Sequence, residues 1–282
     1  MKKLKMNKSA SMILLIVGVL LSGCGKNNFP PEVRITEKKE LVADETDRSN
    51  TLIYAGENES TINPVLTYHD ELTDIIFSGL MKYDGDGRPV VDLAESYEYD
   101  ADNFTYIFHL REGVKWHDGE TFQAEDVVFT YQTLIEDDSL SSSLTSDYED
   151  IIRVEAIDDN TVEIQLDHYN AAILGYFTMG ILPKHLLEGE DMNTTAFNQS
   201  PVGTGRYKFQ EWDVAGGMII LVRNEDYYGK VPNIERLIYK TVAVESTKAT
   251  MLESGEADLA WLNAGYAATF RDREDYRTWD FS

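Results

Sequence analysis

The stretch LREGVKWHDGETFQAEDVVFTYQTL, residues Leu110–Leu134, decides how the fold of this chain is interpreted. It places Trp116, His117, Asp118 and Glu120 within five positions, directly before an acidic, helix-like run. Such a concentration of polar side chains has three possible interpretations. It is an active site, a metal site, or a corner at which a strand turns into a helix.

Local physical chemistry favours the corner. Trp116 fits the end of an extended, half-buried segment, and Asp118-Gly119 has turn chemistry, since Asp bonds its own backbone and Gly tolerates positive φ. Glu125 and Asp126 fall in the first turn of the following helix, where negative charge is favourable. That helix has one apolar stripe, formed by Val127, Val128, Tyr131, Leu134 and Ile135.

Motifs of catalysis and metal binding are missing from the sequence. His109 and His117 are the candidate metal ligands here, but no HExxH helix or similar spacing accompanies them, so we expect no metal site. Neither a nucleophile elbow nor a phosphate loop occurs, so we expect no catalytic residue and no cofactor. A carboxylate hydrolase stays an open alternative, because 50 acidic residues always offer a suggestive pair.

The N-terminal residues predict export. Residues 1–23 have a basic start and an apolar run from Met12 to Leu21, too short for a membrane span, which needs about 20 apolar residues. The ending Leu21-Ser22-Gly23-Cys24 resembles the lipobox of bacterial lipoproteins. This resemblance implies cleavage before Cys24 and a diacylglycerol on its sulfur; an ordinary signal peptide with an incidental Cys is the alternative. Residues 24–49 are interpreted as a flexible linker.

Composition excludes several classes of protein. The net charge of −25 argues against nucleic-acid binding, which needs basic patches to neutralise phosphates. It also disfavours a surface that lies flat on anionic lipid. The single Cys excludes a disulfide framework and a multi-thiolate zinc site.

The remaining patterns predict a mixed α/β fold. FTYIFHL alternates like a strand, and VEAIDDNTVEIQL and GRYKFQEWDVAGGMIILVRN are hairpin candidates. DELTDIIFSGLMKYD has roughly helical spacing, with Asp70 as a plausible N-cap. After the strand IERLIYKTV, a helix ending near Gly255 and a short strand at Leu259–Leu262 suggest a βαβ unit on a partly parallel sheet.

Several motifs in order resemble family 5 of the bacterial extracellular solute-binding proteins, the oligopeptide-, dipeptide- and nickel-type receptors of ABC importers. The clearest is LREGVKWHDGETFQAEDVVFTYQ, and ILPKHLL, SPVGTGRYKFQEW, RNEDYYGKVPNIERLIY and MLESGEADLAWL follow it. The resemblance covers about residues 50–280. Two positions depart from the family pattern: Arg206 replaces a usual Pro, and Gln123 replaces a usual Ser or Thr helix cap, each at a small expected cost in stability.

The resemblance implies an α/β fold of the periplasmic-binding-protein type II (cluster C). Residues 50–68 and 186–282 would form an incomplete first lobe, and residues 69–185 an inserted α+β subdomain. Family members are roughly twice as long and close two lobes over a ligand, so the second lobe would be missing here. Because a ligand site lies between domains, the 282-residue chain by itself is expected to bind ligand weakly or not at all.

The resemblance also implies the function. A monomeric lipoprotein on the extracytoplasmic face of the cell membrane would capture short peptides and deliver them to an ABC permease. The alternatives are a nickel chelate, haem or sugar as ligand, or a non-functional truncated fragment. Asn58, Glu59, Trp261 and Asn263 match ligand-facing positions of the family; the structural alternative is that Trp261 packs in a hinge and Asn58 makes a turn.

Overall fold

The structure is a computed structural model that describes residues 48–67 and 71–279. The predicted signal peptide, the lipobox with Cys24 and nearly all of the predicted linker lie outside the described residues, and so does Asp70. Within the described part, every helix is too short or too polar to span a bilayer.

The described chain contains both strands and helices, in an irregular order. The strands are β1 (Thr51–Gly56), β2 (Met81–Tyr83), β3 (Pro89–Val91), β4 (Ala94–Asp100), β5 (Thr105–Leu110), β6 (Ile151–Asp158), β7 (Thr161–Leu166), β8 (Tyr207–Asp213), β9 (Met218–Arg223), β10 (Arg236–Thr241) and β11 (Leu259–Ala260). The α-helices are α1 (Thr73–Ile76), α2 (Ala124–Glu136), α3 (Ile173–Tyr176), α4 (Lys184–Leu187), α5 (Glu245–Ser254) and α6 (Ala264–Ala267). Short 3-10 helices cover Arg48–Asn50, Thr145–Asp147 and Ala196–Gln199.

The first sheet has five strands in the order β11-β1-β10-β9-β8. β1 is parallel to both β10 and β11, whereas β10, β9 and β8 are antiparallel neighbours. The crossover from β10 through α5 to β11 therefore places β1 between its two strands. This confirms the predicted βαβ unit on a partly parallel sheet and the predicted β8–β9 hairpin.

The second sheet has four antiparallel strands in the order β4-β5-β7-β6, and α2 packs against β6. Its strand β5 buries Tyr106, Phe108 and Leu110, as the alternating pattern predicted. One cluster of buried apolar residues extends through both sheets and includes Phe108 of β5 and Leu237 of β10. The predicted division into a lobe and an inserted subdomain stays a prediction.

The prediction of a long helix in DELTDIIFSGLMKYD is wrong. Helix α1 covers only Thr73–Ile76, and Met81 already begins β2. The backbone of Leu80 and Met81 is occupied elsewhere: the Leu80 carbonyl accepts the N–H of Asp92 at 2.9 Å, and the Met81 N–H donates to the Phe177 carbonyl at 2.9 Å. Tertiary hydrogen bonds thus replace the helical ones that the apolar spacing suggested.

The opening stretch forms the predicted corner. The Trp116 N–H donates to the Glu120 carbonyl and the Gly119 N–H to the Trp116 carbonyl, both at 2.9 Å, so the turn closes tightly before α2 begins at Ala124. Gly119 has φ +100°, a conformation that glycine adopts readily.

The N-terminus of α2 is better capped than the Gln123 side chain alone predicted. The buried carboxylate of Asp126 accepts the Gln123 N–H at 2.9 Å, which is the reciprocal half of a capping box. The same carboxylate accepts the Trp116 indole N–H at 3.2 Å and the Lys184 N–H at 3.0 Å. Asp126 therefore ties the corner, the helix start and α4 together, and it offsets the absence of a Ser or Thr cap.

Candidate ligand-binding site

The candidate site lies at the carboxyl edge of the parallel strands. In the β1–β11 pair, Ala55 is opposite Ala260, so the chain leaves both strands at the same edge of the sheet. Residues 57–59 follow β1 and residues 261–263 follow β11. In open α/β sheets, ligands bind outside the carboxyl ends of the strands. The structure thus brings both predicted pairs, Asn58 with Glu59 and Trp261 with Asn263, to one edge.

The turn after β1 is held by Tyr239 of β10. The Tyr239 hydroxyl accepts the Glu57 N–H at 2.8 Å and donates to Glu59 Oε1 at 3.0 Å. Burial raises the pKa of Tyr239, so its hydroxyl stays protonated and keeps its donor role. Burial also raises the pKa of Glu59, against the lowering effect of this hydrogen bond. Asn58, between the two anchored glutamates, is exposed.

Gly56 makes this approach possible. A Cβ at Gly56 would lie 2.1 Å from Cζ of Tyr239, far inside van der Waals contact. The ring of Tyr239 also packs edge-on against that of Tyr54, with centroids 5.3 Å apart. The last residue of β1 must therefore be glycine for the tyrosine to reach the turn.

A buried lysine completes the edge. Lys248 of α5 is fully buried, and its ammonium pairs with the carboxylate of Glu57. The hydroxyl of Tyr54 donates to Glu71, whose pKa is raised by burial although Tyr54 and Lys248 act to lower it. Three carboxylates, on Glu57, Glu59 and Glu71, thus share the neighbourhood of one ammonium group, and the edge carries an excess of negative charge.

The two predicted residues after β11 differ in their surroundings: Trp261 is exposed, whereas the Asn263 side chain is hydrogen-bonded. Trp261 is 51% exposed, so a large aromatic surface faces solvent at this edge. The Asn263 side-chain oxygen accepts the N–H groups of Gly265 at 3.0 Å and Tyr266 at 3.2 Å, which makes Asn263 the N-cap of α6. Because its side-chain oxygen already caps α6, the structure gives Asn263 a structural role, and its ligand-binding role stays a prediction.

Sequence reasoning missed Tyr54, Glu71, Tyr239 and Lys248. A lysine in a helix is ordinarily exposed, and nothing in ESTKATMLES distinguishes Lys248 from a surface residue. Tyr239 lies within a β-prone run, where an aromatic residue predicts packing. Only the strand order reveals that both reach the turn after β1.

Replacing Tyr239 with phenylalanine should lower the free energy of unfolding by about 1–2 kcal/mol, because the Glu57 N–H and the Glu59 carboxylate both lose a partner while the ring packing stays. Urea unfolding measures the change. Tyr207→Phe is the matched control, since the Tyr207 hydroxyl donates to a single carbonyl, that of Ile234, at 2.9 Å. A Tyr239→Phe protein no less stable than the Tyr207→Phe protein would contradict this anchoring role.

A cavity of about 270 Å³ lies elsewhere in the described chain. Its lining includes the ion pair of Lys82 and Asp92, whose atoms are 2.9 Å apart, and the side chain of Arg206. None of the four predicted ligand residues lines it. The candidate site is therefore the sheet edge and not this cavity.

The two histidines considered as metal ligands, His117 and His109, have different surroundings. His117 Nδ1 accepts the Gly203 N–H at 3.1 Å, and Nε2 is 3.0 Å from the Gly205 carbonyl oxygen. Both ring nitrogens are therefore in use within the fold. His109 lies on β5, with Nε2 3.6 Å from a carboxylate oxygen of Glu98.

Comparison with known proteins identifies the family. The family model described as "Bacterial extracellular solute-binding proteins, family 5 Middle" matches residues 88–281. Protein XP55 of Streptomyces lividans is 32% identical over 231 residues, which are 82% of this chain and 42% of that protein. The oligopeptide-binding protein AppA of Bacillus subtilis is 30% identical over 269 residues, which are 90% of this chain and 48% of AppA.

Solved structures agree with this assignment. The crystal structure of NikZ from Campylobacter jejuni in complex with Ni(L-His) matches with a TM-score of 0.74 and 37% identity, over 80% of this chain and 46% of NikZ. The structure of Bacillus subtilis AppA in complex with a nonapeptide matches with a TM-score of 0.72 and 29% identity, over 78% of this chain and 45% of AppA.

The chain belongs to family 5 of the bacterial extracellular solute-binding proteins, and the predicted family and type II periplasmic-binding-protein fold are confirmed. It spans less than half the length of these curated relatives. Because the family consists of solute-binding proteins, the protein is not an enzyme, as predicted, and the carboxylate-hydrolase alternative is dropped.

Proposed function

We propose that this chain supplies one side of the ligand cleft of a lipid-anchored receptor, which captures short peptides and delivers them to an ABC permease. The observation that carries the proposal is the shared carboxyl edge of β1 and β11, since Asn58 and Glu59 follow β1 and Trp261 follows β11. AppA, a relative named as oligopeptide-binding, supports peptide as the ligand class.

The residues of the edge have roles that suit a peptide. An extended peptide is held largely through its main chain, as in strand addition, and the side chain of Asn58 is exposed for hydrogen bonding. Trp261 offers apolar contact area at the same edge. The excess of carboxylates over ammonium groups favours a ligand with a cationic group, such as the α-amino group of a peptide.

The same proposal covers the domain division, the anchor and the location. The five-stranded sheet would belong to the first lobe (residues 50–68 and 186–282), and the four-stranded sheet to the inserted subdomain (residues 69–185). A diacylglycerol on Cys24 would hold the monomeric receptor on the extracytoplasmic face of the membrane, with residues 25–49 as the tether.

A nickel chelate is the second candidate ligand. The identity to NikZ, crystallised with Ni(L-His), is 37%, against 29% to the AppA structure. The positive charge that Ni²⁺ brings to such a chelate would also suit the carboxylate-rich edge. The two candidates differ in the solute whose uptake depends on the protein.

Deletion of the gene in its source bacterium tests the proposal. We expect uptake of a labelled mixture of short peptides to fall to background and nickel uptake to stay unchanged, with recovery on complementation by the wild-type gene. Complementation with a Cys24→Ser variant should restore uptake poorly, because the receptor is released from the membrane. Loss of nickel uptake with normal peptide uptake would replace the first candidate with the second.

A further inference from the structure

A second cluster of charged side chains lies at the open end of the β6–β7 hairpin, far along the chain from the residues of the proposed cleft. Ile151, the first residue of β6, pairs with Leu166, the last residue of β7. Asp150 and Asp167, which come directly before and after these residues, are therefore opposite each other at the end of the hairpin. The Asp167 N–H donates to the Asp150 carbonyl at 2.9 Å, which fixes the two backbones. One donor atom from each of Asp150, Asp167 and His168 lies within 4.8 Å of the others.

The two carboxylates of this cluster need a positive partner. Like charges directly opposite each other in a sheet are destabilising. The imidazole of His168 lies between them: Nδ1 hydrogen-bonds Asp167, and Nε2 is 3.7 Å from Asp150 Oδ2. Within the described residues, the ion pairs of both carboxylates are with this ring. A proton on His168 supplies one positive charge, and a divalent cation would supply two.

One carboxylate of the cluster is held in place by a neighbouring side chain, and the other two side chains are accessible to solvent. The side-chain amide of Asn170 donates to Asp150 Oδ2 at 2.8 Å, and its oxygen accepts the Ala172 N–H at 2.8 Å. Such a partner behind a carboxylate orients it, as outer-shell groups do in metal sites. The side chains of His168 and Asp167 are 60% and 52% exposed, against 19% for Asp150. An ion therefore has access from solvent and room for water ligands.

We propose that Asp150, Asp167 and His168 form a binding site for a divalent transition-metal ion such as Zn²⁺. One oxygen from each Asp and one nitrogen of His168 bind the ion, and water fills the remaining positions. Zinc binds nitrogen and oxygen at about 2.0–2.2 Å in a tetrahedral arrangement, so two of its ligands lie about 3.4 Å apart. The donor atoms, which lie within 4.8 Å of one another, would have to move closer by side-chain rotation. The imidazole selects a transition metal over Mg²⁺ or Ca²⁺.

This inference departs from the sequence-based expectation of no metal site. Asp150 is separated from Asp167 and His168 by a whole hairpin, and their spacing matches no metal motif. The antiparallel pairing of β6 with β7 brings them together.

Calorimetric titration of the purified full chain with ZnCl₂ tests the site. We expect a saturable site in the wild-type protein and at least about tenfold weaker binding in His168→Ala, since even the loss of a group that supports a metal ligand typically weakens metal binding 10–100-fold. Asp167→Asn should weaken binding as well, and MgCl₂ should not bind measurably. Cys24 is present in every variant and cannot cause a difference between them.

His109→Ala is the matched control, because the side chain of His109 is also accessible to solvent, at 43%, and lies beside a carboxylate, that of Glu98. It should bind Zn²⁺ as the wild-type protein does. Equal affinities of the wild-type and His168→Ala proteins, or no saturable binding to the wild-type protein, would overturn the proposal. Neither result depends on the peptide ligand, so the site and the proposed function are tested separately.

Discussion

Replacing Trp116 with alanine is expected to lower the free energy of unfolding by about 3–5 kcal/mol, the usual cost of removing a buried large aromatic side chain. Trp116 is 1% exposed and packs edge-on against Phe122, with ring centroids 6.1 Å apart. Its indole N–H donates to Asp126 Oδ2. The substitution therefore leaves a cavity and also takes one of three hydrogen bonds from a buried carboxylate.

Urea unfolding of Trp116→Ala and Trp116→Phe separates the two effects. Phenylalanine keeps much of the buried ring and removes the N–H, so its expected loss is about 1–3 kcal/mol, the cost of an unmade hydrogen bond to a buried charged group. Trp279, an exposed tryptophan in the described chain, is the control, and Trp279→Ala should stay within about 0.5 kcal/mol of the wild-type protein. A Trp116→Ala protein as stable as Trp279→Ala would contradict the conclusion that the packing and hydrogen bond of Trp116 stabilise the corner.

The parts of the fold that could be predicted are those in which local chemistry and tertiary structure agree. The turn at Asp118-Gly119, the alternating β5 and the end of α5 all depend on near neighbours in the chain. Gly255, for example, has φ +74° and ends α5 as the sequence predicted. At such positions the local preference and the final contacts favour the same structure.

The parts that could not be predicted depend on distant partners. Helix α1 stops early because Leu80 and Met81 bond to Asp92 and Phe177, which are far away in the sequence. The buried position of Lys248 beneath the turn after β1 follows from the crossover of α5, which no local pattern reports. Tertiary contacts override helix propensity in the first case and the usual exposure of lysine in the second.

The candidate site shows the same division. Resemblance to the family pointed to Asn58, Glu59, Trp261 and Asn263, and the parallel pairing of β1 with β11 places them at one edge. What supports the turn, chiefly Tyr239, required the strand order. The N-cap role of Asn263 required the position of α6, a helix of four residues that no periodicity could reveal.

His117 makes the stability of the chain depend on pH. Its Nδ1 accepts a hydrogen bond from Gly203, so a proton at Nδ1 would oppose that N–H, and the neutral ring with hydrogen on Nε2 is the one that fits. Burial lowers the pKa of His117 to about 4, and the nearby Lys208 ammonium acts in the same direction, whereas the Gly205 carbonyl and Asp118 oppose it. Lys208 also donates to the His117 carbonyl at 3.3 Å.

Since an unfolded histidine has a pKa of about 6.5, the unfolded chain binds a proton between pH 6.5 and about 4 that the folded chain does not bind. The stabilisation is thus fully present above about pH 6.5 and decreases as the pH falls toward the folded pKa. Between pH 7.5 and 5.0, this one group should remove about 2 kcal/mol from the free energy of unfolding.

Urea unfolding of the wild-type and His117→Asn proteins at pH 7.5 and 5.0 measures this effect, because the asparagine amide offers an acceptor near the position of Nδ1 and does not titrate. The variant should be less stable at pH 7.5, where it loses ring packing, and the difference should shrink by about 2 kcal/mol at pH 5.0. Carboxylates titrate in both proteins, so their contribution largely cancels in the comparison. A stability difference that is the same at both pH values would mean that His117 is protonated equally in the folded and unfolded chains, and that its two backbone hydrogen bonds do not hold it neutral.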